Sequence, residues 1–384
     1  MMVTMIHDRA EDAQSQRPIT LLFAGDLVLD VANADHWLGG IAPALRAADL
    51  AIGHLEVPHT LRGTELRDDV PAPGAPPENL DALRRAGFAA VTLAGNHIAD
   101  RGAEGIADTI ARLDWLGIAH CGAGATLAAA RAPARLHCRG RRIALLSYNC
   151  VGPQAAWATE ARAGCNYLAM RSADGRPVTP SAPLLAPTPA ALEQLRAEVG
   201  AARSEAELVI VALHKGIVHT PALLAPYERQ LGEAAVAAGA HIVVGHHAHI
   251  LRGIEFLGER PVFHGLGNGC VVTHALSPGQ DHPARAAWAR RRREQFGFEP
   301  DPRYTLAPFH PEAVHAALGL VHWHADDRLT CGVIPVYVEP PGRPVCVQDE
   351  RAGTIIAYLN RIGIAAGLPA LAWTRAAPDR WICT

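Results

Sequence analysis

IVVGHHAHI, residues Ile242–Ile250, carries an apolar strand straight into three histidines, and LVIVALHKG, Leu208–Gly216, ends the same way in His214. Runs of four to eight apolar residues bounded by turn signals read as strands buried on both faces. Working outward, the same texture returns in ITLLFAGD from Ile19, DLAIGHLE from Asp49, AAVTLAGNH from Ala89, RIALLSYN from Arg142 and PVFHGLGN from Pro261. Between these runs, ENLDALRRAGF, AEGIADTIARLDWLGI, PAALEQLRAEVGAARS and YERQLGEAAVAAGA have helical spacing and glycine stops. Alternation of this kind predicts an α/β fold with helices covering the sheet.

Composition narrows the function classes. A net charge of −3 over 384 residues offers no basic footprint for nucleic acid or a membrane surface. The opening MMVTMIHDRAEDAQSQRPIT has neither the apolar stretch of a signal peptide nor that of a membrane span, so a cytoplasmic protein is expected. Eight cysteines without a CxxC pair argue against a disulfide framework and against a thiolate zinc site. RDDVPAPGAPP and much of 150–189 read as loops, the second long enough to be a substrate-binding insertion.

In an open α/β sheet, functional residues gather at the carboxyl ends of the strands. Those ends carry Asp26, His54, Glu56, Asn96, His97, His214, His246, His247 and His249. One histidine at a strand end is ordinarily a hydrogen-bonded structural residue. Several strands ending in carboxylate, amide and imidazole instead suggest a shared partner, because burying so many polar groups without one is costly. The oxygen and nitrogen donor set suits a divalent cation such as Ca²⁺, Mn²⁺, Fe²⁺ or Zn²⁺.

FAGDLVLD, LAIGHLEVPHT, LAGNHIADRG, LHKG, AGAHIVVGHHAHILRGIE and FHGLGN, in this order, resemble the motifs of the poly-γ-glutamate capsule protein family CapA. That resemblance implies a calcineurin-like metallophosphoesterase fold, a four-layer α/β/β/α sandwich with metal at the strand ends. It implies that Asp26, Glu56, Asn96, His214, His247 and His249 face metal and that His97, backed by Asp100, is a general acid. The chain departs from the pattern in three places. Two-metal phosphoesterases open with Asp-x-His, whereas Leu27 and Val28 follow Asp26 here, so one of two metal positions is expected to be weakened. His54 stands where the capsule family usually has Asn, and the family's usual N-terminal anchor is not found. A soluble lasso-peptide epimerase is similar in sequence and fold. That resemblance implies Cα epimerisation of a peptide, such as a ribosomal precursor, with His97, Asp100, His54 and Asp26 as proton carriers. Hydrolysis of a phosphoester or of a γ-glutamyl or peptide bond, and a CapA-type part in capsule synthesis, are the alternatives.

The expected division is a loosely attached 1–18, a metal-binding core over 19–268, and a C-terminal extension over 269–384. That extension is read as a basic helix, a β-hairpin and a closing helix packed on the same domain. The basic run Arg290–Arg293, with Arg285 before it, reads first as a solvated helix face and second as a carboxylate receiver. Trp288 and Phe296 read as a buried stripe, and His322 and His324 as structural.

Overall fold

The computed structural model describes residues 17–66, 74–277, 279, 281 and 283–384. The N-terminal stretch read as loosely attached lies outside them up to residue 16, as do residues 67–73 of the Pro-rich loop. Two sheets pack face to face. Numbered along the chain, the first holds β1 (Ile19–Leu29), β2 (Leu50–Leu55), β3 (Phe88–Thr92) and β4 (Ala119–Cys121). The second holds β5 (Ala134–Cys138), β6 (Arg141–Asn149), β7 (Leu208–Lys215), β8 (Ile242–His247), β9 (Ile254–Leu257) and β10 (Arg260–Phe263). β11 (Asn268–Val272), β12 (His315–Trp323), β13 (Leu329–Glu339), β14 (Arg343–Cys346), β15 (Trp373–Ala377) and β16 (Arg380–Cys383) return to the first sheet.

The first sheet has the order β15-β16-β13-β12-β1-β2-β3-β4, with β11 also on β1 and β14 on β13; the second runs β9-β10-β8-β7-β6-β5. The period-two alternation of a strand sends side chains to opposite faces, and both faces here are covered. Leu21 and Phe23 of β1 enter the core between the sheets together with Ile210 and Val244, while Leu22 and Ala24 face outward into a second core. That outer core is filled by helices α1 (Ala34–Leu38), α2 (Ala42–Ala47), α3 (Asp81–Ala86) and α4 (Gly102–Leu116). On the far side, Val209, Val211 and Leu213 meet α5 (Pro189–Glu205) and α6 (Pro226–Ala237). The result is the expected four-layer α/β/β/α sandwich, and it explains why these strands are continuously apolar.

The basic segment is two short helices, α7 (Pro283–Arg290) and α8 (Arg292–Phe296). In the hairpin, β12 pairs antiparallel with β1 in register Ile19↔Trp323 and so occupies the middle of the sheet. After α9 (Glu350–Ala365) the chain adds a further hairpin, β15–β16, whose second strand pairs with β13. All eight cysteines are free, and no helix among the described residues is long and apolar enough to cross a membrane.

One glycine sets the spacing beneath the site. A Cβ on Gly25 would stand 1.9 Å from the Gly267 carbonyl oxygen, which is backbone and cannot turn aside. Gly25→Ala is therefore expected to push β1 from β11 and cost about 1–3 kcal/mol, the usual range for overpacking. Urea unfolding checks this, and an unchanged midpoint would contradict it.

Candidate metal centre

The parallel registers bring the strand ends together. Asp26 lies opposite His54 on β2 and Asn268 on β11, and His214 lies opposite His246 on β8. Beyond the ends, Glu56, Asn96, His97 and His249 come from the loops. His247 and His249 take positive φ values of 91° and 52°, a region that costs a side-chain-bearing residue of the order of 1–3 kcal/mol.

Asp26 accepts the His247 backbone N–H at 3.2 Å and lies 3.5 Å from His249 Nδ1 and 3.6 Å from His246 Nδ1. His249 Nε2 is 3.2 Å from Glu56 Oε1, and its Nδ1–H donates to Asn268 Oδ1 at 2.9 Å. The His214 Nε2–H donates to Asn96 Oδ1 at 2.7 Å, with His247 Nδ1 3.1 Å away. Two carboxylates this close and this buried do not both ionise readily. Burial, and then the Glu56 charge, push Asp26 up to about 8. Burial would raise Glu56 as well, but the His249 cation outweighs it and holds Glu56 at about 2. Burial opposes the His249 charge, yet Glu56 and Asp26 lift it to about 9.

Six buried atoms in this cluster make no hydrogen bond: Glu56 Oε1, whose approach to His249 is an ion-pair contact, Glu56 Oε2, His54 Nε2, His214 Nδ1, His246 Nδ1 and His247 Nε2. Buried polar groups are normally satisfied, and each one left bare costs of the order of 1–3 kcal/mol. Ligand atoms of Asp26, Glu56 and His249 lie within 4.8 Å of one another, as do those of Asp26, His54 and His214. Bare oxygen and imidazole nitrogen donors converging in this way fit a divalent cation.

Above the cluster opens a cavity of about 160 Å³, whose polar edge includes Glu56, Asn96, His97, His247 and His249. His97 Nδ1–H donates to the buried Asp100 carboxylate at 2.7 Å, an arrangement that fixes the tautomer and raises basicity at Nε2. Asp26 and His54 do not line the cavity. His54 shares the neighbourhood of Asp26 with Glu56, but only Glu56 reaches the opening. The loop over 150–189 adds Pro180 and Ser181 to the rim. Trp288 and Phe296, expected in a buried stripe, stand on the cavity wall with Phe309, so α7 and α8 turn their aromatic side toward the site. Neither Arg285 nor any of Arg290–Arg293 is among the lining residues. Arg285 binds Glu65 at 2.6 Å, and Arg292 is buried and donates to the Leu276 carbonyl.

Sequence reasoning missed three contributors. Asn268 ends the FHGLGN motif and orients His249. His219 lines the cavity beside Phe296, Phe298 and Phe309, and no motif marks it. Beneath His214, the fully buried Lys215 binds Glu228 Oε2 at 3.0 Å, and Arg252 binds Glu228 Oε1 at 3.0 Å. Burial alone would raise Glu228, but the Lys215 and Arg252 charges hold it at about 2. A carboxyl depressed from 4.5 contributes stability that is complete above about pH 4.5 and is lost as pH falls toward 2. Urea unfolding of the wild type should lose more stability than Glu228→Gln between about pH 5 and about pH 3. Equal losses would remove Glu228 as the cause.

The family model for bacterial capsule synthesis protein PGA_cap matches residues 4–271. The chain is 26% identical over 261 residues to the capsule biosynthesis protein CapA of Bacillus anthracis, covering 65% of this chain and 59% of that one. It is 27% identical over 256 residues to the PGA biosynthesis protein CapA of Bacillus subtilis, covering 64% and 61%. A probable polyglutamine synthesis accessory protein of Mycobacterium tuberculosis is 30% identical over 195 residues, covering 50% and 47%. The chain thus spans less than two thirds of the length of the relatives it matches. With the family match running from residue 4 through the Asp26, Glu56, Asn96, His214 and His247 motifs to residue 271, the chain belongs to the bacterial capsule synthesis protein family PGA_cap.

Proposed function

We propose that this protein is a metal-dependent hydrolase of the CapA type that cleaves an amide in a peptide-like chain, γ-glutamyl or α-peptide, with His97 as general acid. The carrying observation is that His97, backed by Asp100, lines the same cavity as Glu56, Asn96, His247 and His249. A divalent cation held by Glu56, Asn96, His214, His247 and His249 would polarise the substrate carbonyl as a Lewis acid. The amine that leaves must gain a proton. A water molecule adds to the carbonyl carbon and gives a proton to His97 Nε2; Asp100 steadies the resulting imidazolium, which returns that proton to the nitrogen as the C–N bond breaks, leaving a carboxylic acid and a free amine. The Val218, Phe296 and Phe309 side of the cavity holds the flanking part of the chain and excludes water.

Two features favour amide hydrolysis over its rivals. Among the described residues no Lys or Arg lines the cavity, whereas phosphoryl oxygens are commonly received by such cations. Epimerisation needs a proton carrier on each face of a Cα centre. Of the carriers expected for that reaction, His54 and Asp26 stand behind the cavity surface, and only His97, with Asp100 behind it, reaches the opening. The capsule and polyglutamine synthesis named for the relatives supplies the polymer context.

The test is incubation of the metal-loaded chain in D₂O with γ-glutamyl oligomers and with peptides, following new primary amine and Cα deuterium. New amine without deuterium is the expected result. Deuterium without amine would replace this reading by epimerisation, and phosphate release from a phosphodiester would replace it by phosphoester cleavage. Inertness toward all of them would leave a binding role in polymer assembly.

A further inference from the structure

One wall of the cavity is built mainly from a part of the chain that the family match does not reach. That match ends at residue 271, whereas Leu276, Trp288, Phe296 and Phe309 all line the cavity. Val218 and His219 join them from the loop after β7. The wall is packed as a core would be. The His219 ring lies 5.0 Å from that of Phe296 and 5.7 Å from that of Phe309, and Trp288 stands edge-on to Phe296 at 6.1 Å. Rings at these separations hold one another in place, so the surface offered to a ligand is set before the ligand arrives. Arg292 ties three pieces of this wall together. It donates to the carbonyl oxygens of Leu276 and Pro308, the residue before Phe309, and its guanidinium lies 4.9 Å from the centre of the Trp288 ring.

Size and charge limit what the wall can receive. The cavity holds about 160 Å³, and an apolar protein cavity of about 150 Å³ takes up benzene. It therefore seats a single side chain of leucine or phenylalanine size. A glutamate side chain finds no counter-charge on that wall. No Lys or Arg lines the cavity among the described residues, and Glu56 already stands at its polar edge. A carboxylate drawn in would lose its water without gaining a partner, which is the costliest kind of burial. One donor is open on this side, because the Trp288 indole Nε1–H is buried and has no hydrogen-bond partner. An indole can only donate, so it suits a neutral acceptor such as a peptide carbonyl oxygen.

We infer that Leu276, Trp288, Phe296 and Phe309, with Val218 and His219, form a specificity pocket for an apolar side chain, leucine-like or aromatic, on the residue next to the cleaved amide. The substrate class is then an amide flanked by an apolar residue, and not a polymer of glutamate alone. The inference rests on the amide-hydrolysis reading and narrows it. The residues up to 271 carry the donor-bearing motifs, and the segment after them selects what is brought to those motifs.

The test separates binding from cleavage. The metal-loaded His97→Ala chain, which should bind substrate but turn it over slowly, is titrated calorimetrically with N-acetyl-Ala-X-Ala amides and γ-glutamyl-X dipeptides, X being Phe, Leu, Ala or Glu. The dissociation constants for Phe and Leu are expected about 10–100-fold below that for Ala, the effect of burying such a side chain, and Glu should bind no better than Ala. Adding Trp288→Ala should cut the preference for Phe over Ala by about 10-fold or more, as loss of a pocket aromatic does. Far-UV circular dichroism identifies a variant that fails to fold; Asp100→Asn then replaces His97→Ala, and Phe309→Leu replaces Trp288→Ala. Glu bound as tightly as Leu, or no peptide bound at all, would overturn the pocket. Tighter binding of Phe and Leu with no amine released by the wild type would leave the pocket standing and sink the hydrolysis reading.

Discussion

His97→Ala is expected to lower the rate of amine release by about 10²–10⁴-fold, the usual contribution of a positioned general acid, while metal per chain stays at the wild-type value. The two halves of this expectation come from different facts. His97 lines the cavity and is bonded to Asp100, so its loss removes the proton donor. The donor atoms that converge to within 4.8 Å of one another belong to Asp26, Glu56 and His249 and to Asp26, His54 and His214, and His97 is in neither group. Asp100→Asn should act in the same direction with a smaller effect, because the ring remains while its orienting charge is gone. Turnover is read as new primary amine and metal by elemental analysis. A His97→Ala protein that keeps wild-type turnover would sink the assignment of the acid, and one that loses its metal would show His97 to be part of the cation site.

The second large effect is on stability. Glu228→Ala is expected to cost about 3–5 kcal/mol, the range for breaking a buried ion pair from one side. Glu228 receives Lys215 on one oxygen and Arg252 on the other, and all three side chains are fully buried. Removing the carboxylate therefore strands two cations in the interior. It also removes the acceptor that holds the Ala225 N–H at 2.9 Å at the start of α6. The contrast is Arg229→Ala, whose guanidinium is 41% exposed in its pair with Glu255 and whose loss should cost about 1 kcal/mol or less. Urea unfolding distinguishes the two, and a Glu228→Ala loss below that of Arg229→Ala would refute the argument. Because Lys215 directly follows His214, the Glu228 variant should also bind cation less tightly.

Much of the candidate site was legible because its donor-bearing residues sit where apolar runs stop. Strand periodicity locates Asp26, His214 and His247, and the order of the motifs supplies Glu56, Asn96 and His97. Periodicity is a local property, though, and three features depend on distant parts of the chain. It pairs neither Asp26 with His54 nor β1 with β12. It reads Trp288 and Phe296 as one helical face without indicating whether that face meets a core or a cavity. Lys215 and Glu228 look like ordinary surface charges until α6 is laid against the end of β7. His54 was legible as an unusual residue next to Glu56 but not as one turned inward, since the direction is decided by Thr92 on the next strand.

The pairing of β1 with β12 has a consequence for how the protein is made. Ile19 meets Trp323, so β1, once synthesised, waits for a partner encoded 304 residues later. At a synthesis rate of about 5–20 residues per second, that delay is about 15–60 s. Throughout it, the edge of an apolar strand that will end in the middle of a sheet stands open, the kind of edge that recruits other chains. A nascent protein of this design depends on something to shield that edge until its C-terminal third arrives. A recombinant fragment ending at residue 271, where the family match stops, would carry the same exposed edge permanently.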